Sequence, residues 1–323
     1  MRMHLRMSPA NLPARAPLIA LLISLLLFIC GGMIRPGFAD YRQALNVLRL
    51  ASFLGIVAAG QTLVVIGGNE GIDLSVGGVV TLSAVIIHGL VNGNNGLILP
   101  GLALALAAGA MVGFLNGIAI SKLRIPPLVM TLGMTGVING LILATTGGHP
   151  EGTVAPLMKS FVSDAWVVGV PGVVFLWVLL GGGLWLLLQR TEYGKCLYAV
   201  GGSYRVALFS GVRVQRVIVL TYVLSGLLAA FGGFVILGYT SSVFLTLGDS
   251  YTLPSIAAVV VGGTLISGGI GGYSGTMAGA ILLTLVQSLL ITLGLPEFGR
   301  QIIYGVILLV LISAYGRSRL THS

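Results

Sequence analysis

Charge is scarce in this chain. Lysine, arginine, aspartate and glutamate make up 8% of the 323 residues, with only 8 acidic side chains, against about a quarter in soluble globular proteins. A surface that faces water on every side needs far more, so a water-soluble globular domain is excluded. Cysteine is nearly absent. Cys30 lies in an apolar run and Cys196 in a basic segment, which offers no disulfide framework and no metal spacing. The histidines, His4, His88, His149 and His322, are scattered, so a histidine metal site is not expected. No G-x-x-x-x-G-K-[ST] loop, no H-E-x-x-H and no Ser/His/Asp arrangement occurs, and ATP hydrolysis by a P-loop within this chain is excluded. The net charge is +9, yet no basic stripe is long enough to track phosphates, so no nucleic-acid partner is expected.

What the chain has instead is apolar length. Hydrophobic residues reach 56%, mean hydropathy is +1.04, and 49 glycines are spread through the sequence. Small residues let helix backbones approach in lipid, where water supplies no hydrophobic drive between helices. The expected fold class is all-α, a polytopic integral membrane protein in contact with lipid. Ten runs are each roughly long enough to cross a hydrocarbon core of about 30 Å: 16–33, 50–67, 74–91, 97–120, 127–145, 166–188, 217–238, 251–267, 273–293 and 301–315. The eighth and tenth are short, which suggests partial re-entry or shielding by neighbours. Residues 1–15 carry Arg2, Arg6 and Arg15 ahead of the first run. That pattern imitates a secretory signal, but no A-x-A-like cleavage site follows, so the run reads as an uncleaved span. With ten spans and the N-terminus inside, twelve basic residues fall inside and five (Arg35, Arg42, Arg49, Lys159, Arg300) outside, while Asp40, Glu151, Asp164, Asp249 and Glu297 fall in outer loops. The bias puts both termini in the cytoplasm, with a transmembrane domain at 16–315 between short tails at 1–15 and 316–323.

Two polar interruptions stand out. Residues 190–216 hold Arg190, Lys195, Arg205, Arg213 and Arg216, interleaved with Tyr198, Tyr204, Val206 and Phe209 and broken by Gly194, Gly201, Gly202 and Gly211. Arg205 to Ser210 can form one to two helical turns with Val206 and Phe209 on one face. A short helix of aromatic and basic residues outside the bilayer suits a protein contact; a solvated positive-inside loop is the plainer alternative. Tyr198, Arg205 and Phe209 are the candidate anchors. The second interruption, GGNEGIDLSVGG at 67–78, places Asn69, Glu70 and Asp73 between two spans. Asp73 can cap the following helix through the N–H of Ser75 or Val76; alternatively the glycine break lines a solute path that Asn69 or Asp73 meets. Gln61, Ser75 and Asn139 are further solute-path candidates, and Thr62, Thr131, Thr135, Thr264 and Gln287 are possible interhelical glue. No apolar run holds Lys, Arg, Asp or Glu, and only His88 is ionisable there, which suits a neutral polar solute and leaves few groups for proton coupling. A secondary transporter of a small polar solute remains the alternative. Gly60–Val64 echoes Gly262–Ile266, as a repeat or by chance.

GIDLSVG at 71–77, KLRIPPLVMTLGM at 122–134, YGKCLYAVGGSYRVALFSGVRV at 193–214 and VVVGGTLISGGIGGYSGTMAGA at 259–280 resemble the ribose/xylose/arabinose/autoinducer-2 class of bacterial ABC sugar importer permeases. The resemblance covers about 46–317 and keeps the order of these motifs. It implies a multi-pass permease of the bacterial inner membrane that works with a second copy or paralogue. It further implies a cytoplasmic ABC ATPase, often with tandem nucleotide-binding domains, and a periplasmic sugar-binding protein. ATP and Mg would be held by that ATPase, with no cofactor in this chain. The coupling element implied at 194–211 takes in Gly194, Tyr198, Gly201, Gly202, Arg205, Phe209, Ser210 and Gly211. Asn69-Glu70 depart from the small residue or glycine common in that class ahead of GIDLSVG. Members differ in their sugar, so the resemblance leaves the solute open.

Overall fold

The computed structural model describes residues 12–68, 70–296, 298–303 and 305–306. Apolar runs rich in Leu, Val, Ala and Gly fold as helices because every backbone group must be satisfied within the segment in lipid. Among the described residues, seven helices are long and apolar enough to cross a membrane: α1 (Leu12–Ile34), α2 (Tyr41–Ile66), α4 (Ile98–Ser121), α5 (Pro127–Thr146), α7 (Gly172–Arg190), α10 (Val214–Thr240) and α12 (Tyr273–Thr292). Two shorter apolar helices, α3 (Val76–Val91) and α11 (Asp249–Val261), lie inside the bundle. Three short helices sit in connections: α6 (Pro156–Ser163), α8 (Glu192–Gly202) and α9 (Tyr204–Phe209). Strands β1 (Ala165–Val167) and β2 (Val170–Pro171) form a small hairpin.

The core is built around α2, buried almost continuously from Ala51 to Ile66. It packs against α10, α12, α11 and α7, and α10 also packs along the length of α4. That last pairing follows from sequence. Gly109, Gly113 and Gly117 recur every four residues on one face of α4, and each meets the α10 backbone, at Gly226, Tyr222 and Val219 respectively. Such close approach is the usual use of small residues between membrane helices. Across the bundle, Trp177 Nε1 of α7 donates to Tyr273 Oη of α12 (2.9 Å), which donates to the Gly55 carbonyl of α2 (2.9 Å). Two buried polar side chains are thereby satisfied and three helices tied together.

Seven of the ten expected spans coincide with the long helices, and the third and eighth correspond to the shorter α3 and α11. The tenth begins as helix at 298–303 and 305–306; the rest of it, residues 1–11 and the C-terminal tail lie outside the described residues. Several boundaries differ from expectation. Helix α2 starts at Tyr41, nine residues before the expected span, and takes in Arg42 and Arg49. The Arg49 guanidinium sits over the Tyr239 ring at 6.0 Å, which gives a charged side chain on a buried helix a partner. Residues 166–171, expected to open the sixth span, belong instead to the β-hairpin, with positive φ at Val168 and Gly169. Helix α11 stops at Val261, because the glycine-rich stretch at 262–272 leaves the helix in a series of turns. Gly60–Val64 is helical and Gly262–Ile266 is not, so the sequence echo has no structural counterpart.

Candidate functional site

Two constellations correspond to the two polar interruptions. The first surrounds Asp73. After α2 ends at Ile66, residues 70–74 turn back into the bundle, so the Asp73 carboxyl group lies at the level of Gln61 and only 1% of the residue is exposed. Oδ1 of Asp73 accepts from the Ser75 N–H (3.0 Å) and the Ser75 hydroxyl (2.6 Å), and Oδ2 accepts from the Ser225 hydroxyl of α10 (2.8 Å). The Gln61 carboxamide, in the orientation that suits both its atoms, donates to the Asp73 carbonyl (3.1 Å) and accepts from the Asp73 N–H (3.3 Å). Asn116 Nδ2 of α4 donates to Ser75 Oγ (3.0 Å). On the other side, Thr131 of α5 accepts from the Leu74 N–H (3.1 Å), and the Thr135 hydroxyl donates to the Leu74 carbonyl (3.2 Å). Four helices thus hold a non-helical segment in place and satisfy its buried polar groups. Two atoms beside it have no partner among the described residues, Asn116 Oδ1 and the Tyr222 hydroxyl.

Three of the solute-path candidates, Gln61, Asp73 and Ser75, are brought together, and all three are sealed from solvent. Asn139 is half-buried on α5, one turn beyond Thr135, and takes no part in this network. Asn69 lies outside the described residues. Asn116 and Ser225, which complete the carboxylate's surroundings, are not among the sequence candidates, because Asn116 is the single polar residue of its apolar run and Ser225 one of three scattered in its own. The Asn116-Gly117 pair in α4 was the available signal. Beside the network, a narrow crevice of about 20 Å³ is lined by Val64, Gly68, Gly71, Pro127, Leu197 and Tyr222, among others. These walls are mostly apolar and offer little to a polyhydroxylated solute.

The second constellation is the basic segment. Thr191 caps α8 by accepting from the Gly194 N–H (3.2 Å), and Ser203 caps α9 by accepting from the Val206 N–H (3.4 Å). The expected short helix is therefore present as α9, set off from α8 by a capped corner. Its outer surface is apolar: Phe209 is 88% exposed, and Val206, Leu208 and Tyr204 are exposed as well, beside exposed Arg205 and Ser210. Gly211, at φ +83°, makes the turn out of it, a conformation L side chains resist. Helix α8 faces the other way. Leu197 and Val200 are buried, and the Tyr198 hydroxyl donates to the Gly271 carbonyl (2.8 Å). The Tyr193 hydroxyl pairs with Thr221 Oγ1 (2.9 Å), and burial pushes its pKa up to about 12. Of the candidate anchors, Arg205 and Phe209 stand out from the surface, while Tyr198 ties α8 to the loop before α12.

That tie belongs to a junction of bare backbones. Gly201 packs so closely that a Cβ would overlap the Ile66 carbonyl at the end of α2, and a Cβ on Gly68 would come within 2.9 Å of the Gly201 backbone. Gly269 donates its N–H to Ile66 O (2.9 Å). Gly68 (φ +71°) and Gly269 (φ +74°) also adopt left-handed backbone, so glycine is required there for conformation as well as space. The end of α8, the break that leads to Asp73 and the loop before α12 meet at this point.

The comparisons agree with this architecture. Residues 43–311 match the family described as branched-chain amino acid transport system / permease component. The chain is 35% identical over 288 residues to the ribose import permease protein RbsC of Bacillus subtilis strain 168, covering 89% of this chain and 88% of that one. To the ribose import permease protein RbsC of Escherichia coli K12 it is 33% identical over 304 residues, 91% of each chain. To the autoinducer 2 import system permease protein LsrC of Escherichia coli O157:H7 it is 35% identical over 308 residues, 93% and 86% of the two chains. No solved structure matches. The chain belongs to this family of transport-system permease components, and it is a multi-pass protein of the inner membrane.

Proposed function

We propose that the chain is the membrane-spanning subunit of an ATP-driven importer for a monosaccharide or similar neutral polar solute. In this reading both termini are cytoplasmic, the basic segment faces the cytoplasm, and the end carrying α6 and the β-hairpin faces the periplasm. A cytoplasmic ABC ATPase, in separate or tandem form, docks on α9, a periplasmic sugar-binding protein delivers the solute, and a second permease copy or paralogue completes the path. The observation that carries the reading is the outer face of α9. Phe209, Val206 and Leu208 cluster outside the spans beside Arg205, and a contiguous apolar patch ringed by polar groups marks a protein contact. The sugar class is supported by the ribose and autoinducer-2 relatives, together with buried polar groups that are nearly all uncharged.

Within the permease, the sealed Asp73 network supports a structural role for that carboxylate. Both of its oxygens accept from Ser75 and Ser225 and the residue is buried, so it fixes the start of α3 and is closed to a solute. Gly194, Tyr198 and Gly201 link α8 to the bundle, and Gly202, Arg205, Phe209, Ser210 and Gly211 form or flank the docking surface. The test is uptake in cells expressing the permease together with its proposed ATPase and binding protein. Uptake that survives an uncoupler while ATP is maintained, and stops when ATP is depleted, supports the reading. Uptake that collapses with the proton gradient at constant ATP makes the chain a secondary transporter instead.

A further inference from the structure

Asp249, expected in an outer loop, is the exposed first residue of α11, and its level along the bundle follows from the packing of its neighbours. Gly232 of α10 backs onto Val57 of α2 and Val80 of α3, and Gly233 onto the Val80 carbonyl, so these positions share one level. From Val57 to the end of α2 at Ile66 is about 13 Å, and from Gly232 to the end of α10 at Thr240 about 12 Å, at about 1.5 Å per residue. Gly248 lies at nearly the same level, because its N–H donates to Thr81 Oγ1 (2.9 Å) and its backbone packs on Gly77. The connection at 241–248 therefore descends from the outer end of α10 to mid-depth, where α11 begins.

Two observations on this connection exclude a lipid environment. It is irregular, and the backbone N–H groups of Ser242 to Thr246 have no hydrogen-bond partner among the described residues; in hydrocarbon each such group would cost several kcal/mol. Its side chains at Ser242, Phe244 and Thr246 are exposed, and so are Asp249 and Ser250 at its foot. A carboxylate exposed at mid-bilayer faces water or a partner. We propose that this descending connection, with Thr246, Asp249 and Ser250, lines the water-filled path along which a neutral polyhydroxylated solute crosses. The proposal rests on the permease reading above and moves the solute path away from the sealed Asp73 network. The chemistry fits a sugar. A carboxylate and hydroxyls exchange hydrogen bonds with solute hydroxyls, while Phe244 offers an aromatic face to its C–H groups.

The test needs no knowledge of the solute. In a Cys30→Ser, Cys196→Ser background, Thr246→Cys, Asp249→Cys and Ser250→Cys are made singly, with Met111→Cys on α4 and Leu179→Cys on α7 as exposed apolar comparators. Membranes holding the full transporter are treated with a small, charged methanethiosulfonate. The three path positions should react at least about tenfold faster than the comparators, since a charged reagent is excluded from hydrocarbon. Reading three positions keeps the result interpretable if one variant does not fold. Rates equal to those at 111 and 179 overturn the proposal. Slow labelling with ready cross-linking between permease copies also overturns it, because the face is then a dry interface. Either negative result leaves ATP-driven uptake by the native complex intact, so failure here is distinct from failure of the permease reading.

Discussion

At the scale of single residues, Asp73 shows how a carboxylate can be kept inside an apolar bundle without a cationic partner among the described residues. Each oxygen accepts from a group that would otherwise be unsatisfied, Ser75 on one side and Ser225 on the other. Removing the acceptor costs more than the bonds themselves are worth. An orphaned buried donor loses about 1–3 kcal/mol, so Asp73→Leu should lower stability by about 2 kcal/mol or more and reduce the yield of folded protein in the membrane. Asp73→Asn keeps an acceptor for the Ser75 N–H and should remain folded and largely active. Thermal unfolding in detergent, read beside uptake, checks both. Normal yield with lost uptake in Asp73→Asn would instead make the carboxylate a solute contact.

At the scale of elements, α8 and α9 divide the basic segment into an inward and an outward half. The inward half is the glycine junction with the Tyr198–Gly271 bond. Gly201→Ala places a methyl group against the Ile66 carbonyl and must push α8 away from α2. If the ATPase docks on α9 as proposed, a complex holding this variant should retain it, since α9 is untouched, but couple its hydrolysis poorly to uptake. Tyr198→Phe should do the same more mildly by removing one hydrogen bond. Co-purification measured beside the ratio of uptake to hydrolysis separates lost coupling from lost docking. If both variants instead release the ATPase at native coupling, α8 is part of the docking surface.

At the scale of the whole molecule, the spans were legible because an apolar run of about twenty residues has few fates other than crossing the bilayer. Helix α9 was legible too, from Val206 and Phe209 three apart between glycines. The inward turn of Tyr198 was not, since its partner Gly271 is 73 positions along the chain. Nor was the early start of α2, because Arg42 and Arg49 read as loop until Tyr239 supplied a ring for Arg49. Asp249 read as an outer-loop acid because sequence does not reveal that the chain dips before α11. Orientation is checked by reporter tags: positions after Arg15 and after Arg319 should both be cytoplasmic, and Gly148 periplasmic. Termini on opposite sides would contradict the arrangement.

The central claim is that the energy of transport enters through α9 by packing of apolar side chains, with peripheral charge contributing little. The most direct measurement uses the permease, its ATPase and its binding protein in reconstituted vesicles, scored for retained ATPase and for hydrolysis stimulated by the sugar-loaded binding protein. Phe209→Ala should leave the permease inserted but weaken ATPase association at least about tenfold, the loss of one buried aromatic anchor. Lys195→Ala, a peripheral charge on α8, should change association little. Native coupling in Phe209→Ala together with lost association in Lys195→Ala would mean that the segment holds its partner by charge, and would contradict the account.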